Sequence, residues 1–349
     1  MHADLSTELA PEDALRLHVL LAGTVQAVRL DESAPALYAL TERGEAKIVL
    51  HPNCRTEQYL TRVRELLGGH ALGSPGGYPV HLRRWTRMGQ ASPKSLEAML
   101  LLGETEAVVA VAHTQGLTDE LARRVWWAQP GNEVACAMLA HAGVARGAMA
   151  RTLADYLIEH LPFVEDPLAA MNSVRIMLAA GQPDAAGRQM LWQKAKRRPH
   201  YFVGFLEHLP DALPGDIPAR PCSAALTAQA DAGNPWARQL QRAYSASGQS
   251  FIKAAELALE RPAVPEAVYA LLDAIGRWCA PLAGMDGHAQ LSATLPEHGP
   301  ALEALAVLAA TRASCAEPIL TRSTAVGPHM RKKLEPLVAP LLAQLRALQ

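Results

Sequence analysis

Aromatic residues are scarce in this chain, at 5% of its 349 residues. Hydrophobic residues nevertheless make up 50% of the sequence, and alanine and leucine carry most of that content. These two side chains lose little rotamer freedom when they enter a helix. The composition therefore favours a helical protein.

Charge of one sign is not in excess, and long apolar runs are missing. Lysine and arginine total 33 against 34 acidic residues, so the formal net charge is −1, whereas a general nucleic-acid-binding protein usually carries a basic surplus. The longest apolar candidate, around Leu96–Leu102, soon meets glycine and glutamate and is too short to span a bilayer. Residues Met1–Glu8 lack the basic and apolar parts of a secretory signal. We expect a soluble cytoplasmic protein without membrane insertion.

Paired cysteines and clustered histidines are also missing. The five cysteines are far apart, none forms a Cys-x-x-Cys pair, and their number is odd. This pattern argues against a disulfide framework and favours a reducing compartment. The 13 histidines are scattered, and no His-Glu-x-x-His motif occurs. We therefore expect neither a metal nor a cofactor.

No catalytic motif stands out. Gly73, Gly76 and Gly77 suggest a phosphate-binding loop, but Tyr78 and Pro79 follow where such a loop needs lysine and serine or threonine. The loop also leads into an extended run, so it lacks the helix N-terminus that would attract an anion. Gly-x-Ser-x-Gly is absent as well. The glycines are interpreted as a structural turn, and we expect a protein that is not an enzyme.

The N-terminal part mixes helical and extended patterns. A helix is predicted over residues 11–21. Its apolar side is predicted to carry Leu15, Val19 and Leu20, and its polar side Glu12, Asp13 and Arg16. Extended runs are predicted at Val25–Leu30, Ala36–Leu40, Glu45–Leu50 and Val80–Trp85, with a hairpin at residues 42–44 and a helix from Thr56 to Leu67.

The rest of the chain is predicted to be helical. Glycine and proline breaks separate helices of about 10–18 residues, which favours antiparallel neighbours. No repeat period is found, so an irregular bundle remains the alternative to a solenoid. Prolines 210, 214, 218 and 221 prevent one continuous helix there. The predicted fold class is mainly α, with a small N-terminal α/β domain and a mostly antiparallel sheet, followed by a layered, solenoid-like helical array. The predicted domains are residues 1–90 (α/β), 91–209 (helical array), 210–221 (proline-rich linker) and 222–349 (C-terminal helical segment).

One candidate binding site follows the Gly/Pro loop. It consists of Arg83, Arg84, Trp85 and Arg87. Arginine pairs with carboxylates and phosphates in a forked geometry and stacks on aromatic rings. The patch therefore suits an acidic protein surface or RNA. The alternative is that Trp85 packs at a domain junction while the arginines bridge to acidic residues of the helices.

A second basic cluster contains Lys194, Lys196, Arg197 and Arg198. Pro199 follows and marks the end of a predicted helix, where cations complement the helix dipole. An RNA contact is the alternative, with Trp192 and Tyr201 stacking on bases. The helix terminus is the preferred interpretation.

The pair Trp126 and Trp127 lies on a predicted helix. Adjacent helical residues point about 100° apart, so at most one of the two can lie centrally in the core. We expect the other at a helix junction or on a partner surface, because tryptophan is enriched at binding hot spots.

Cys54 is the candidate reactive thiol. It lies at the start of a predicted helix and beside Arg55, and both features favour the thiolate.

Several stretches of this sequence resemble the DsrS proteins. They are Leu72–Gln90, Ser95–Gly103, Gly116–Trp127, Leu191–Arg197, Tyr201–Leu206 and Pro210–Pro214. Members of that family are encoded with the reverse-acting dissimilatory sulfite reductase system of sulfur-oxidising bacteria. The resemblance covers residues 10–220 and supplies no active site. It implies a soluble cytoplasmic accessory protein of oxidative sulfur metabolism.

Three hypotheses follow. The leading one is a non-enzymatic interaction or regulatory protein of the sulfur-oxidation machinery, with Arg83, Trp85, Arg87 and one of Trp126 or Trp127 as anchors. The second is an RNA-associated regulator acting after transcription through the basic cluster. The third is a sulfur carrier using Cys54. The oligomeric state is left open.

Overall fold

The computed structural model of the chain describes residues 8–73, 93–321 and 325–349. Within these ranges it has 19 α-helices and a three-stranded antiparallel sheet near the N-terminus. The predicted fold class is thus confirmed: a mainly α protein in which a small sheet precedes a helical array. No helix within the described ranges combines the length and the apolar character needed to cross a membrane.

The chain divides into two compact units, Met1–Leu157 and Ile158–Gln349. The strands of the first unit are β1 Val25–Asp31, β2 Ala36–Thr41 and β3 Gly44–Val49. The described helices that begin in this unit are α1 Pro11–Leu21, α2 Thr56–Leu72, α3 Pro93–Met99, α4 Thr105–Ala112, α5 Asp119–Ala128, α6 Asn132–Leu139, α7 Ala142–Ala145 and α8 Met149–His160.

The sheet has the order β1-β2-β3, and the predicted hairpin is confirmed. Thr41 pairs with Gly44, so β2 and β3 are joined by a tight connection through Glu42 and Arg43. Gly44 has φ 114°, a conformation that side-chain-bearing residues rarely adopt. One face of the sheet packs on α1 and α2 in a core that includes Leu17, Val28, Leu37, Leu60 and Val63. Side chains alternate along each strand, so every second residue points to the opposite face of the sheet.

The predicted faces of α1 are wrong for Leu15, Val19 and Asp13, whereas Leu20 does pack against the core. Leu15 and Val19 are 65% and 68% exposed, whereas Asp13, Leu17 and Leu21 face the core. The two sets of residues have the same helical spacing, so the apolar pattern fits either rotation of the helix. Hydrogen bonds to the Asp13 carboxylate, described below, favour the observed rotation.

Helices are the regular secondary structure of the second unit within its described residues. Its helices after α8 are α9 Pro167–Ala179, α10 Ala185–Ala195, α11 Phe202–His208, α12 Ala224–Asp231, α13 Pro235–Tyr244, α14 Ala246–Glu260, α15 Pro265–Trp278, α16 His288–Thr294, α17 Gly299–Ala309, α18 Glu317–Leu320 and α19 Gly327–Ala347. Short 3₁₀ turns are found at Leu161–Phe163, Pro199–Tyr201, Ala280–Leu282, Pro296–His298 and Ala313–Cys315.

The proline-rich segment lies inside the second unit. Residues 209–223 contain no helix, as the prolines predict. The segment is nevertheless fixed to α13: both Asp211 carboxylate oxygens accept hydrogen bonds from Arg242 at 2.7 Å, and the Arg220 amide donates to the Tyr244 carbonyl at 2.8 Å. The prediction made residues 210–221 a linker between two domains. The observed boundary between the two units lies instead between Leu157 and Ile158. The predicted boundary at residue 90 lies outside the described residues.

The C-terminal helix α19 packs on α14 and α17. Buried Leu334 and Val338 face inward, and the two internal prolines, Pro336 and Pro340, are exposed. The buried Glu256 carboxylate of α14 accepts hydrogen bonds from Arg346 at 2.6 Å and from the Gln349 amide at 2.9 Å. These contacts fix the end of α19.

Candidate partner-binding surfaces

The second face of the sheet carries a row of cations and aromatics. Arg29 of β1 pairs across the sheet with Tyr38 of β2, and Tyr38 pairs with Lys47 of β3, so the three side chains share a face. The Arg29 Cζ lies 4.8 Å from the centroid of the Tyr38 ring, and the Lys47 Nζ lies 5.1 Å from the same centroid. Hydrogen bonding to Tyr38 raises the pKa of Lys47. The row is therefore a cation–π arrangement with two positive charges.

Helix α5 adds Trp127 to this row. The Arg29 Cζ is 5.0 Å from the centroid of the Trp127 ring. The Glu45 Oε2 accepts from Arg29 at 3.1 Å and from the Trp127 Nε1 at 3.0 Å. Together Lys47, Tyr38, Arg29, Trp127 and Glu45 form what we call the ladder.

Local interactions explain why α5 places Trp127 against the sheet. The Thr118 hydroxyl caps the helix by accepting from the Leu121 amide at 3.3 Å. Arg123, one turn before Trp127, donates to the Gln26 amide oxygen of β1 at 2.8 Å. Helix α5 is therefore attached to the strand that carries Arg29.

The ladder is half-exposed and held in place. The side chains of Arg29 and Glu45 are 39% and 42% exposed. The guanidinium has an aromatic neighbour on β2 and another on α5, while Glu45 fixes both Arg29 and Trp127. The Arg29 Nε is buried and has no hydrogen-bond partner among the described residues. Tryptophan, tyrosine and arginine are the residues enriched at interface hot spots, so this arrangement suits recognition of another molecule.

A polar cleft lies beside the ladder. Its volume is about 540 Å³, and Arg29 and Tyr38 form part of its lining. Further lining residues are Asp31, Glu32, Ser33, Arg64, Glu104, Thr105 and Gln129. Arg64 and Glu32 form an ion pair with each other, and Asp31 accepts hydrogen bonds from Ser33. The charges of the cleft are thus largely paired within it.

Trp126 makes a separate contact. Its ring packs edge-on against Tyr156, with centroids 4.8 Å apart at 81°. Trp126 and Trp127 are both half-buried. The prediction that at most one of the pair lies centrally in the core is confirmed, and only Trp127 joins the ladder.

The basic cluster lies at a helix end, as predicted. Helix α10 ends at Ala195, one residue after Lys194. Lys196 and Arg197 are exposed, whereas Arg198 is half-buried and donates to the Tyr201 hydroxyl at 3.1 Å. The basic cluster therefore presents two fully exposed cations.

The two aromatic side chains of the alternative RNA contact are buried. Trp192 is 4% exposed and Tyr201 is 1% exposed. The Trp192 ring packs edge-on against Phe202 and Phe205, at centroid distances of 4.8 and 5.1 Å. The alternative in which these two side chains stack on bases is contradicted, because core packing already covers their rings.

The other predicted recognition patch cannot be placed. Arg83, Arg84, Trp85 and Arg87 lie outside the described residues, together with the extended run predicted at Val80–Trp85.

Cys54 lies in the loop between β3 and α2. It precedes Arg55, the N-cap residue of α2, so its position before a helix agrees with the prediction. The thiol is half-buried against the core, and its Sγ donates to the Arg55 carbonyl at 3.6 Å. Cys222 and Cys315 are exposed, and Cys136 is half-buried. Burial raises the pKa of Cys279 to about 12, which keeps that thiol protonated.

A buried carboxylate anchors the same loop. Asp13 accepts from the His51 amide at 2.6 Å, from the His51 Nδ1 at 3.0 Å and from the Tyr59 hydroxyl at 2.6 Å. Burial raises the pKa of Asp13, but the hydrogen bonds from His51 and Tyr59 outweigh it and leave the pKa below its usual value. Burial and the bond to Asp13 raise the pKa of Tyr59 to about 12. The sequence does place Asp13, Leu17 and Leu21 on one helical face, but nothing in that pattern indicates the partners of Asp13.

Among the described residues, no group of three or more histidines, cysteines and acidic side chains is arranged to hold a metal ion. Comparisons with family models, curated proteins and solved structures return no match for this chain. The assignment of a role therefore depends on the surfaces themselves and on the resemblance of the motifs.

Proposed function

We propose that this protein is a non-enzymatic accessory or regulatory protein of bacterial oxidative sulfur metabolism, in the reverse dissimilatory sulfite reductase pathway. It works in the cytoplasm by binding a protein partner. The sulfur assignment is supported by the resemblance of residues 10–220 to the DsrS proteins. The binding mode is supported by one observation above all: the Arg29 guanidinium is held against Tyr38 and Trp127 on a half-exposed face.

The ladder favours binding because its side chains are already ordered. Immobilising a long side chain at an interface costs about 0.5–1.5 kcal/mol. Glu45 already holds Arg29 and Trp127 in the unbound protein. Binding a partner therefore costs less side-chain conformational entropy. The ladder carries two cations and one carboxylate. A partner surface with an acidic side chain next to an apolar one would complement it.

In-cell crosslinking followed by affinity purification tests this proposal. In cells oxidising sulfide or thiosulfate, the wild-type protein should retrieve a component of the sulfur-oxidation machinery. We expect Trp127→Ala to lower the yield at least about fivefold, which is the effect of losing one hot-spot side chain. Trp126→Ala is the matched control, because Trp126 is the same residue type on the same helix and its ring packs against Tyr156. Thermal melting checks that both variants are folded.

Two outcomes would contradict the proposal. If the wild-type protein retrieves no sulfur-pathway component, the metabolic assignment fails. If Trp126→Ala and Trp127→Ala behave alike while both remain folded, the ladder is not the binding site.

An RNA-associated regulator of the sulfur-oxidation genes is the second candidate. Exposed Lys196 and Arg197 favour it, and the burial of Trp192 and Tyr201 weakens it. Affinity for single-stranded RNA should fall steeply as salt is raised if phosphates are bound. Absence of binding at low salt would remove this candidate.

A sulfur carrier is the third candidate, favoured by the position of Cys54 just before a helix. In that role the Cys54 thiolate attacks the outer sulfur of a donor persulfide. A new S–S bond forms on Cys54, the donor's S–S bond breaks, and the donor leaves as a thiolate. Mass spectrometry of the protein after exposure to a persulfide should then show an added sulfur on Cys54, which Cys54→Ser would lack. Modification confined to exposed Cys222 and Cys315 would exclude this role.

A further inference from the structure

One aromatic side chain of the second unit is largely exposed to solvent. Phe163 ends the 3₁₀ turn Leu161–Phe163 and is 79% exposed, more than any other large apolar side chain among the described residues. Leu161, at the start of the same turn, is completely buried. The turn is therefore anchored on one side and presents a phenyl ring to solvent on the other.

The basic cluster contacts the turn that carries this ring. The Arg198 Nη2 donates to the carbonyl oxygen of Pro162 at 3.4 Å, so its guanidinium is adjacent to the residue that precedes Phe163. Arg198 thus ties the end of α10 to the Phe163 turn. The sequence separates the two features by more than thirty residues, which is why the sequence pattern alone did not connect them.

Two further cations of the basic cluster are available to a partner. Lys196 and Arg197 are exposed, and neither forms an ion pair among the described residues. The acidic residues nearest in sequence to Phe163 are Glu165 and Asp166. Asp166 caps α9 by accepting from the Leu168 and Ala169 amides, so part of its charge is already compensated. The four cations of the cluster exceed these two carboxylates and that of exposed Glu159 together.

We propose that Phe163 and the basic cluster form a docking surface for an acidic segment of a protein partner. The segment would place an apolar side chain on the Phe163 ring and carboxylates on Lys196 and Arg197. This inference rests on the protein-binding part of the proposed function and is independent of the sulfur assignment. We call the site the Phe163 surface.

Charge and composition favour an acidic protein segment over nucleic acid. A platform for single-stranded RNA uses successive aromatic side chains, each stacked on a base. Here Trp192 and Tyr201 are buried, so Phe163 is the exposed ring, and the whole chain has a formal charge of −1. A single exposed ring on a turn that an arginine of a basic cluster contacts is closer to an interface hot spot, where an aromatic anchor is surrounded by a charged rim.

Fluorescence anisotropy with defined probes tests the proposal. The first probe is a labelled short peptide in which glutamates flank one phenylalanine. The others are the same peptide with glutamine in place of glutamate, an oligouridine, and vesicles of phosphatidylglycerol. The wild-type protein should bind the glutamate peptide, and higher salt should weaken that binding. We expect Phe163→Ala to weaken it at least about fivefold, and the double change Lys196→Glu with Arg197→Glu to weaken it further.

Matched control variants lie on the same unit. Val307 is an exposed apolar residue, and Arg261 and Lys332 are exposed cations. Val307→Ala, and Arg261→Glu combined with Lys332→Glu, should bind the glutamate peptide as the wild type does. All substituted side chains are exposed, so circular dichroism and thermal melting should show unchanged folding for every variant.

The results separate the possible failures. The proposal is overturned if the glutamate peptide does not bind, if Phe163→Ala leaves its affinity unchanged, or if the glutamine peptide, oligouridine or vesicles bind as tightly. Trp127→Ala should leave this peptide affinity intact. If peptide binding holds while no sulfur-pathway component is retrieved from cells, the sulfur assignment fails and the Phe163 surface stands.

Discussion

At the scale of single residues, Asp13 is the clearest case of a polar group that fixes local structure. Its carboxylate is fully buried, which would be costly without partners. Three hydrogen bonds from His51 and Tyr59 compensate that cost and tie the loop before α2 to α1. Cys54 lies in that loop, so its position depends on a carboxylate distant in sequence.

Replacing Asp13 by asparagine tests this role. The amide carries no charge and offers one acceptor oxygen in place of two, so the charge-assisted hydrogen bonds from His51 and Tyr59 are lost or weakened. We expect Asp13→Asn to lower the free energy of unfolding by about 2–4 kcal/mol. Glu12→Gln, which removes the exposed ion pair with Arg16 on the same helix, should cost less than about 1 kcal/mol. Urea unfolding of the three proteins measures the difference, and equal values for both variants would argue against the anchor.

The pKa of Asp13 also determines how the stability of the folded protein changes with pH. Because it is lowered from the ordinary value of 3.8 in the folded protein, the unfolded chain binds the proton more readily. The stabilisation is complete above the unfolded pKa and is lost as the pH falls through the folded pKa. Wild-type stability should therefore fall more steeply in acid than that of Asp13→Asn.

At the scale of elements, the sequence predicts helix starts and the hairpin well, because interactions between neighbouring residues determine them. Asp166 followed by Pro167 is a local signal for a helix start, and the Asp166 side chain caps α9. The hairpin at Gly44 and the start of α2 at Thr56 also agree with the sequence. The rotation of α1 was mistaken because it depends on His51 and Tyr59, which helical periodicity in α1 cannot reveal.

The contact between α14 and α19 is an element-scale interaction that only the folded chain shows. Glu256 and Arg346 are far apart in sequence and 2.6 Å apart in space. Burial raises the pKa of Glu256, but hydrogen bonds from Lys253, Gln349 and Arg346 outweigh it and lower the pKa to about 2. This stabilisation is complete above the ordinary value of 4.5 and disappears as the pH falls towards 2.

We expect Glu256→Gln to loosen the end of α19. Glu256 is buried but Arg346 is 55% exposed, so solvent screens the pair and removing the charge should cost about 1–2 kcal/mol. Hydrogen exchange measured by mass spectrometry should show faster exchange in the last turns of α19 at neutral pH. Glu303→Gln, an exposed change on α17, should leave that exchange unchanged. Unaltered exchange in the Glu256 variant would mean that apolar packing alone holds the helix.

At the scale of the whole molecule, the two candidate surfaces belong to different units. Trp127 lies in Met1–Leu157 and Phe163 in Ile158–Gln349. The sequence pointed to Trp127 and to the basic cluster but not to their neighbours. Trp127 meets Glu45 across 82 positions of sequence, and no local pattern encodes such a pairing. The identity of anchoring residues was thus partly predictable, whereas their surroundings were not.

Fragments test the two-unit division. Cutting after His160, where α8 ends, should give two fragments that each unfold cooperatively on heating, followed by circular dichroism. Cutting after Pro221, at the end of the predicted linker, should not. That cut separates Asp211 and Arg220 from their partners in α13, and α11 from α14 and α15, against which it packs. Cooperative folding of residues 222–349 alone would favour the domain boundaries predicted from the prolines.

The ladder draws its side chains from β1, β2, β3 and α5. To an antibody or a selected binder it is a discontinuous epitope, and no short synthetic stretch of this chain reproduces it. Scanning overlapping linear fragments for partner recognition would therefore miss the ladder, even with every one of its residues represented. Binders raised against the native fold, and screened for competition at Trp127, would report whether the sheet and α5 are correctly assembled.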